Sequence, residues 1–561
     1  MTTRELYDCD YLVIGGGSAG CVLASRLSED PAVRVTLVEA GQDAEPVAVR
    51  DARFRTLNDS RFLWPDLSAE YSQTGIGPLP FGQAKIIGGG SAINGMHAQR
   101  GLPADYEEWS SFGVQGWGWA DVLPYFKRLE TDCDFENEQH GKSGPLQLQR
   151  VPPHDWSGLT KAVATTYERR GISYIADLNG QAGDGYGAVP INMVGRHRLS
   201  AAAAYLTPEV RKRDNLRIEA GTAASRLLVE GPQVIGAIIG EGDQARAIRS
   251  RETIVSSGAL HSPALLLRSG IGPLEQLRAA GVPVAKHLAG VGANLLNHPM
   301  LIVGAHLRSA GRQRNNVHPP CPIVVRYSSG LPGVAATDVV LNVWERTPNN
   351  LARDPLGRQV ANLMFIINKV YSQGSVKLMP DGALDIRFNL LHDPRDLRRM
   401  VNGLSTLAGL VQEPEIASLV DAAFLPAMTP LALLMMQDNW KARALSIAGA
   451  AAFSTPGIPR KKAFEMAGTP ISDVMSSGKE TIEDTVRMST LPGGHVSGTC
   501  RMGSPHNPEA VVDSNCRVIG LNGLRVVDAS IFPTLMAAGT NLPVIMAAEK
   551  VVDAIKREYR A

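Results

Sequence analysis

Residues Tyr11 to Gly41, YLVIGGGSAGCVLASRLSEDPAVRVTLVEAG, decide the fold: a short apolar run, a glycine turn, an amphipathic stretch to Leu27, and a second apolar run ending in Glu39 and Ala40. Gly15, Gly17 and Gly20 fall in the spacing G-x-G-x-x-G. Each glycine answers a steric demand: the chain must turn tightly, a pyrophosphate must approach the backbone, and a helix must press onto a sheet. A helix starting near Ser18 and Ala19 aims its free N–H groups and the positive end of its dipole at the phosphates. Glu39 stands about 20 residues beyond the glycines, where a carboxylate can accept both ribose hydroxyls of an adenosine and would repel a 2′-phosphate. Strand, turn, helix and strand-terminal acid together predict a doubly wound α/β domain that binds FAD or NAD, and they disfavour NADP.

At 561 residues the chain exceeds what one hydrophobic core supports, so two domains are expected. Lys and Arg total 56 against 55 Asp and Glu, a formal net charge of +1 with no block of like charge, so nothing points to a nucleic-acid partner. Cys9, Cys21, Cys133, Cys321, Cys500 and Cys516 have neither metal-ligand nor disulfide-framework spacing. Reduced, structural cysteines in a cytoplasmic protein are the expectation. The first strand follows the N-terminus at once, without a charged-then-apolar leader pattern. No apolar run reaches about 18 residues, so no membrane span is expected.

A second glycine run follows in AKIIGGGSAINGMHAQRG, residues 84–101, where Gly88 to Gly90 and Ser91 again require backbone to lie close to something flat or anionic. This stretch, continued by RGLPADYEEW, resembles the first signature of the glucose-methanol-choline (GMC) family of FAD oxidoreductases. The resemblance implies that the loop lies along the flavin, with Gly88, Gly90, Ser91, Asn94, Gly95, Met96, His97 and Ala98 beside it. Some members link the ring to a histidine here. This chain has Ile93 at that position, which implies non-covalent FAD. Trp64, in FLWPDL, could stack on the adenosine or the flavin edge, or be a packed loop aromatic.

GALHSPALLLRSGIG, residues 258–272, resembles the family's second signature, with Ser262 as N-cap and Pro263 opening a helix. His261 reads as a capping-turn histidine. The resemblance also sets the backbone of Ala224 against the adenine. Arg196, His197 and Arg198 read as an exposed, solvated basic turn. Residues 160–214 read as helix and loop. The block 300–489 alternates polar and apolar residues in TDVVLNVWE, MFIINKVY and SVKLMPDGALDIRFNLL, as half-buried strands of an antiparallel sheet do. Within it the apolar stretch from Ala422 to Met436 reads as a buried wall.

The last 70 or so residues carry the chemistry. Oxidising an alcohol requires a group that takes the hydroxyl proton while the hydride leaves to the flavin. A neutral histidine suits that task near neutral pH. His495, in LPGGHVSGTCRMG, lies in a glycine-flanked turn, and Asn541, in GTNLP at the head of the final helix, could donate to the developing alkoxide. The resemblance places both at the flavin, with Ala529 and Pro543 as cofactor contacts; Asp528, where a strand ends and a turn begins, can meet the cofactor's phosphate or ribityl chain or cap a helix. Two departures are Gly494, where relatives often carry a large aromatic, and Val496, where proline is common.

The expected architecture is therefore a doubly wound, Rossmann-like FAD domain from residues 1–160, 215–300 and 490–561, with a substrate domain of antiparallel sheet and helices from 161–214 and 301–489. The expected function is oxidation of a primary alcohol, aryl or furanic in the manner of bacterial aryl-alcohol and 5-hydroxymethylfurfural oxidases, with O2 reduced to hydrogen peroxide. Two alternatives stay open: a dehydrogenase with another acceptor, and a non-redox hydroxynitrile lyase.

Overall fold

The computed structural model describes residues 7–43, 60–72, 77–313, 319–347, 355–427, 429–435 and 439–560. Part of the irregular stretch after Gly41, and Met436, lie outside them. In chain order the first elements are β1 (Cys9–Ile14), α1 (Ser18–Leu27), β2 (Val35–Glu39), α2 (Pro103–Trp109), β3 (Gly185–Ala188), β4 (Ile191–Val194), β5 (Leu216–Ala220), β6 (Ala224–Glu230), β7 (Gln233–Ile239), β8 (Arg246–Val255) and α3 (Gly258–Arg268). There follow β9 (Pro299–Leu307), β10 (Ile323–Tyr327), β11 (Val339–Trp344), β12 (Val360–Ile367), α4 (Pro394–Leu410), β13 (Val420–Pro426), α5 (Trp440–Ser454), α6 (Ile458–Ala467), β14 (Gly468–Pro470), β15 (Leu524–Val526) and α7 (Asn541–Arg560).

The first sheet runs β5-β2-β1-β8-β7-β6, with β15 also on β8. Its centre is parallel, with Tyr11 opposite Val35 and Ile14 opposite both Val38 and Val255. Those strands read as nearly unbroken apolar runs because both of their faces are covered. The helices α1 and α7 pack against each other over this sheet, and Val22, Leu23, Ile545 and Val552 share one core with the strands.

The second sheet is antiparallel, in the order β14-β13-β9-β12-β11-β10-β3, and Leu491–Pro492 pairs with the start of β9. One face rests on α4, where Gly403 lets the Phe365 ring approach so closely that an added Cβ would lie 2.3 Å from it. The other face looks toward the residue 94–98 loop through Trp344. β11 and β12 are consequently buried almost throughout rather than half-buried as the alternation suggested. Two covered faces erase the distinction between inward and outward positions.

Four further expectations change. Residues 185–194 form β3 and β4, short strands whose four-residue length left little periodic signal. Ala201, Ala202, Tyr205 and Val210, read as part of the substrate domain, join the core of the first sheet. The alanines let that segment sit directly on α1. The stretch from Ala422 onward is not a continuous buried wall: it is edge-side strand β13 followed by the short helix Pro430–Met435, on which Leu431 is 36 % exposed. Its prolines break the run into two elements.

The fourth concerns α3, which begins at Gly258, so Ser262 and Pro263 lie inside it rather than at its cap. Pro263 cannot donate to the carbonyl of Ala259, one turn back. The Thr499 hydroxyl donates to that oxygen instead, at 2.6 Å. His261 is likewise a helix residue, stacked on Trp64 at 4.2 Å, and burial pushes its pKa down to about 4.

Candidate active site

At the nucleotide end the glycines meet the demands read from their spacing. Gly15 has φ +105, a conformation costly for any side chain, and a Cβ on Gly20 would lie 1.8 Å from the Gly15 carbonyl oxygen. Gly17 caps α1 without a side-chain hydrogen bond, so Ser18 and Ala19 start a helix whose first N–H groups are left for a ligand. Glu39 is buried, and its two oxygens accept from Gly16 N and Gly41 N, both at 2.7 Å. Each oxygen keeps a second lone pair. Burial raises the Glu39 pKa, and the two backbone donors oppose that rise. Thr222 N donates to the Glu39 carbonyl at 2.9 Å, which brings the start of β6, with Ala224, beside Glu39 and Ala40.

The second glycine run lies on the first. Gly88 N donates to Gly16 O at 2.8 Å, and a Cβ on Gly89 would stand 2.7 Å from Gly17 Cα. A Cβ on Gly90 would meet nothing within 4 Å, which leaves open space beside Ser91. The loop that follows is braced from behind. Asn94 Oδ1 accepts from Met96 N at 2.9 Å and from Arg198 Nη1 at 2.8 Å, and Arg198 also donates to Ser91 O. Met96 has φ +63 and its carbonyl oxygen accepts from Asn192 N, while Ala98 N donates to Pro190 O. Arg198, read from sequence as part of a solvated turn, is thus 5 % exposed and clamps this loop. Only Arg196 and His197 of that cluster face solvent. Gly95 leaves room for Trp344, which stacks on His97 at 5.7 Å. Trp64 is the packed loop aromatic, between His261 and the Lys85 ammonium at 4.6 Å.

At the other end, His495 is half-buried and its N–H donates to Asn297 Oδ1 at 3.0 Å. Its Nδ1 lies 2.8 Å from Nδ1 of His298, whose Nε2 lies 2.9 Å from the carbonyl oxygen of Asn368. That carbonyl can only accept, so His298 Nε2 carries a proton. Burial, helped by the Lys369 ammonium, pushes the His298 pKa down to about 4, so this ring is neutral and its Nδ1 is an acceptor. His495 must then donate from Nδ1. In its neutral form it keeps Nε2 bare.

Asn541 stands at the head of α7. Its Oδ1 accepts from the Ser18 hydroxyl at 2.7 Å, tying the head of α7 to the glycine turn. Pro543 completes that first helical turn, where no N–H is needed. The residue beside His495 is Gly539, where a Cβ would lie 3.2 Å from Nε2. One residue, Thr540, separates Gly539 from Asn541. The amide next to the histidine is Asn297, buried, with its Nδ2 unpartnered among the described residues. It sits in NLLNHP, directly before His298. Asp528 is the cap rather than a free ligand: its carboxylate accepts from Gly258 N, Ser262 Oγ and Ser530 N, with Ala529 following in the capped turn.

Lys369 ties these parts together. Its ammonium donates to Asp105 Oδ1 at 2.9 Å, Glu108 Oε2 at 2.7 Å and Leu535 O at 3.0 Å. Burial alone would lower its pKa, but the two carboxylates raise it. Asp105 Oδ2 in turn accepts from Ala537 N at 2.8 Å. The turn carrying Gly539 is therefore held through α2 by the residue next to Asn368, which holds His298.

The sequence description GMC oxidoreductase matches residues 9–300 and again residues 370–548. The chain belongs to the GMC oxidoreductase family. It is 35 % identical to a 5-(hydroxymethyl)furfural oxidase of Methylovorus sp., over 97 % of this chain and 98 % of that one. It is 31 % identical to the mitochondrial choline dehydrogenase of Homo sapiens, over 99 % and 90 %. Among solved structures, pyridoxine 4-oxidase from Mesorbium loti superposes with a TM-score of 0.80 at 28 % identity, covering 98 % of this chain and 99 % of that one. A fungal aryl-alcohol oxidase shares the fold, with a TM-score of 0.75 at 19 % identity, covering 99 % and 100 %. The GMC chain is thus an FAD-dependent oxidoreductase acting on CH–OH donors. Its residues fit that cofactor: the uncapped start of α1 leaves N–H groups for phosphates, and open space lies beside Gly90 and Ser91.

Proposed function

We propose that this GMC oxidoreductase oxidises a primary aryl or furanic alcohol to the aldehyde and reduces O2 to hydrogen peroxide, with His495 as the base. The observation that carries the reading is the hydrogen-bond chain from Asn368 O through His298 to His495, because it leaves Nε2 as the proton acceptor. FAD, when bound, supplies the acceptor for the hydride. His495 Nε2 takes the hydroxyl proton, and the charge that forms on His495 is relieved through its Nδ1–H to His298. Asn297 Nδ2, a buried donor without a partner among the described residues, suits a developing alkoxide. Trp344, Met300, Ile302 and Met364 form an apolar cluster on the sheet face above the 94–98 loop, a surface for a flat ring. The similarity to a 5-(hydroxymethyl)furfural oxidase supports the substrate class and the acceptor. Ile93, buried and apolar, offers no atom for a covalent link, which supports non-covalent FAD.

The test is a panel of benzylic and furanic alcohols assayed for aldehyde and peroxide in air. Stoichiometric peroxide with the primary aryl alcohols is expected. Rapid flavin bleaching followed by slow reoxidation in air would instead favour a dehydrogenase, and cyanohydrin cleavage without bleaching a lyase.

A further inference from the structure

Among the described residues, five large apolar side chains are more than half exposed, and four of them sit on one helical hairpin: Trp440 at 74 %, Ile447 at 58 %, Ile458 at 74 % and Met466 at 59 %. The hairpin is α5 followed by α6. Its inner side is anchored, since Phe453 stacks on the buried His306 ring of β9 at 5.0 Å, Phe464 meets the same ring edge-on at 5.4 Å, and Leu356 and Ala450 complete the cluster. Both helices rest on that cluster, so their outer sides form one surface.

On α5 the outer stripe is Trp440, Ala444, Ile447, Ala448 and Ala451, all exposed and spaced as one helical face, while Ala442, Ala450 and Phe453 face inward. From Ala444 to Ser454 the helix carries no charge. A helix that is apolar all round is ordinarily covered on all sides. On α6 the outer stripe is Ile458, Lys462, Glu465 and Met466, with Lys461 beside it. The hairpin's cations are Lys441, Arg443, Arg460, Lys461 and Lys462 against the single anion Glu465, although the whole chain has a net charge of only +1. Positive charge is therefore concentrated around the patch.

We propose that this hairpin docks on the surface of an anionic lipid bilayer. Trp440, Ile447, Ile458 and Met466 enter the boundary between headgroups and acyl chains, and Lys441, Lys461 and Lys462 meet the lipid phosphates. The helices lie along the surface, in keeping with the absence, among the described residues, of any helix long and apolar enough to cross a membrane. Charge favours this occupant over a second copy of the chain: a two-fold contact would bring the same lysines together, and lysine is depleted from such interfaces. The inference does not depend on which alcohol is oxidised.

The experiment is co-sedimentation of the FAD-loaded protein with vesicles of phosphatidylcholine and phosphatidylglycerol in equal parts, and with phosphatidylcholine alone. Binding to the mixed vesicles is expected, reduced about fivefold or more by combining Trp440→Ser, Ile447→Ser and Ile458→Ser. The flavin spectrum and turnover should be unchanged, because these side chains are exposed and make none of the contacts that hold His495. Combining Lys441→Gln, Lys461→Gln and Lys462→Gln should remove the preference for the anionic vesicles. Wild-type protein that stays in the supernatant with both vesicle types overturns the proposal, as does equal pelleting of wild type and the apolar triple variant. Sedimentation velocity showing a dimer that the apolar variant abolishes, without lipid binding, would overturn it in favour of a second copy.

Discussion

A methyl group added at Gly20 would sit 1.8 Å from a carbonyl oxygen, whereas one added at Gly494, next to His495, would meet nothing within 4 Å. The nucleotide end is held by backbone against backbone: Gly20 on Gly15, Gly89 on Gly17, and Glu39 gripping two N–H groups. The catalytic end is held by side chains distant in sequence, His298 on His495 and Lys369 on Asp105. The first end is damaged by adding atoms and the second by removing them. Close backbone approach is written into local glycine spacing, while a side-chain constellation leaves no such spacing.

The largest effect is expected at the nucleotide end. Gly20→Ala should yield protein without FAD, or no soluble protein, because the colliding atom is backbone and cannot swing away; the flavin absorbance of the purified chain reads this directly. A variant retaining a normal flavin spectrum would show that the α1 contact is softer than its geometry.

At the catalytic end, Lys369→Met should lower stability by roughly 3–5 kcal/mol in denaturant unfolding, since it leaves the buried Asp105 carboxylate without its cation. It should also slow flavin reduction, because the Gly539 turn loses its tie through Leu535 O. Unchanged stability would mean that the clamp is incidental.

Asn541→Ala divides the two ends. Losing the Ser18 hydrogen bond should cost about 1 kcal/mol, seen as FAD binding roughly fivefold weaker, with little change in the reduction rate of the FAD that remains. If Asn541 stabilised the alkoxide, the reduction rate would instead fall about 10²- to 10³-fold.

The smallest effect is a pH trend from a second buried histidine. Burial would lower the His140 pKa, but hydrogen bonds to Asp132, Asp177 and Glu130 hold it up at about 10. Its contribution to stability is therefore complete below its unfolded pKa of about 6.5 and is lost as pH rises through 10. The melting temperature should decline across that window, and His140→Phe should flatten the decline. His298, equally buried but facing a carbonyl, is neutral; partners, more than burial, decide which buried histidine can pass a proton.

The same division explains what could be read from the chain. The glycine turns, Glu39 and the parallel sheet were legible because local sterics write them into spacing. His495 was legible because a histidine between glycines has little structural reason to be there. Asn541 was legible as the head of a helix, but its tie to Ser18, 523 residues away along the chain, was not. Arg198 and Lys369 were passed over because an arginine in a basic turn or a lysine after a strand reads as solvated until the loop it clamps is seen. Asn297 and His298 lie in NLLNHP, whose spacing carries no site signal of its own. Pro263 looked like a helix start because its compensation comes from Thr499, far away in the sequence.

The most direct test of the account is anaerobic stopped-flow bleaching of FAD-loaded His495→Ala by benzyl or furfuryl alcohol, beside wild type. The account predicts full FAD content and a reduction rate about 10²- to 10⁴-fold lower, the usual contribution of a general base. Bleaching at the wild-type rate would contradict it.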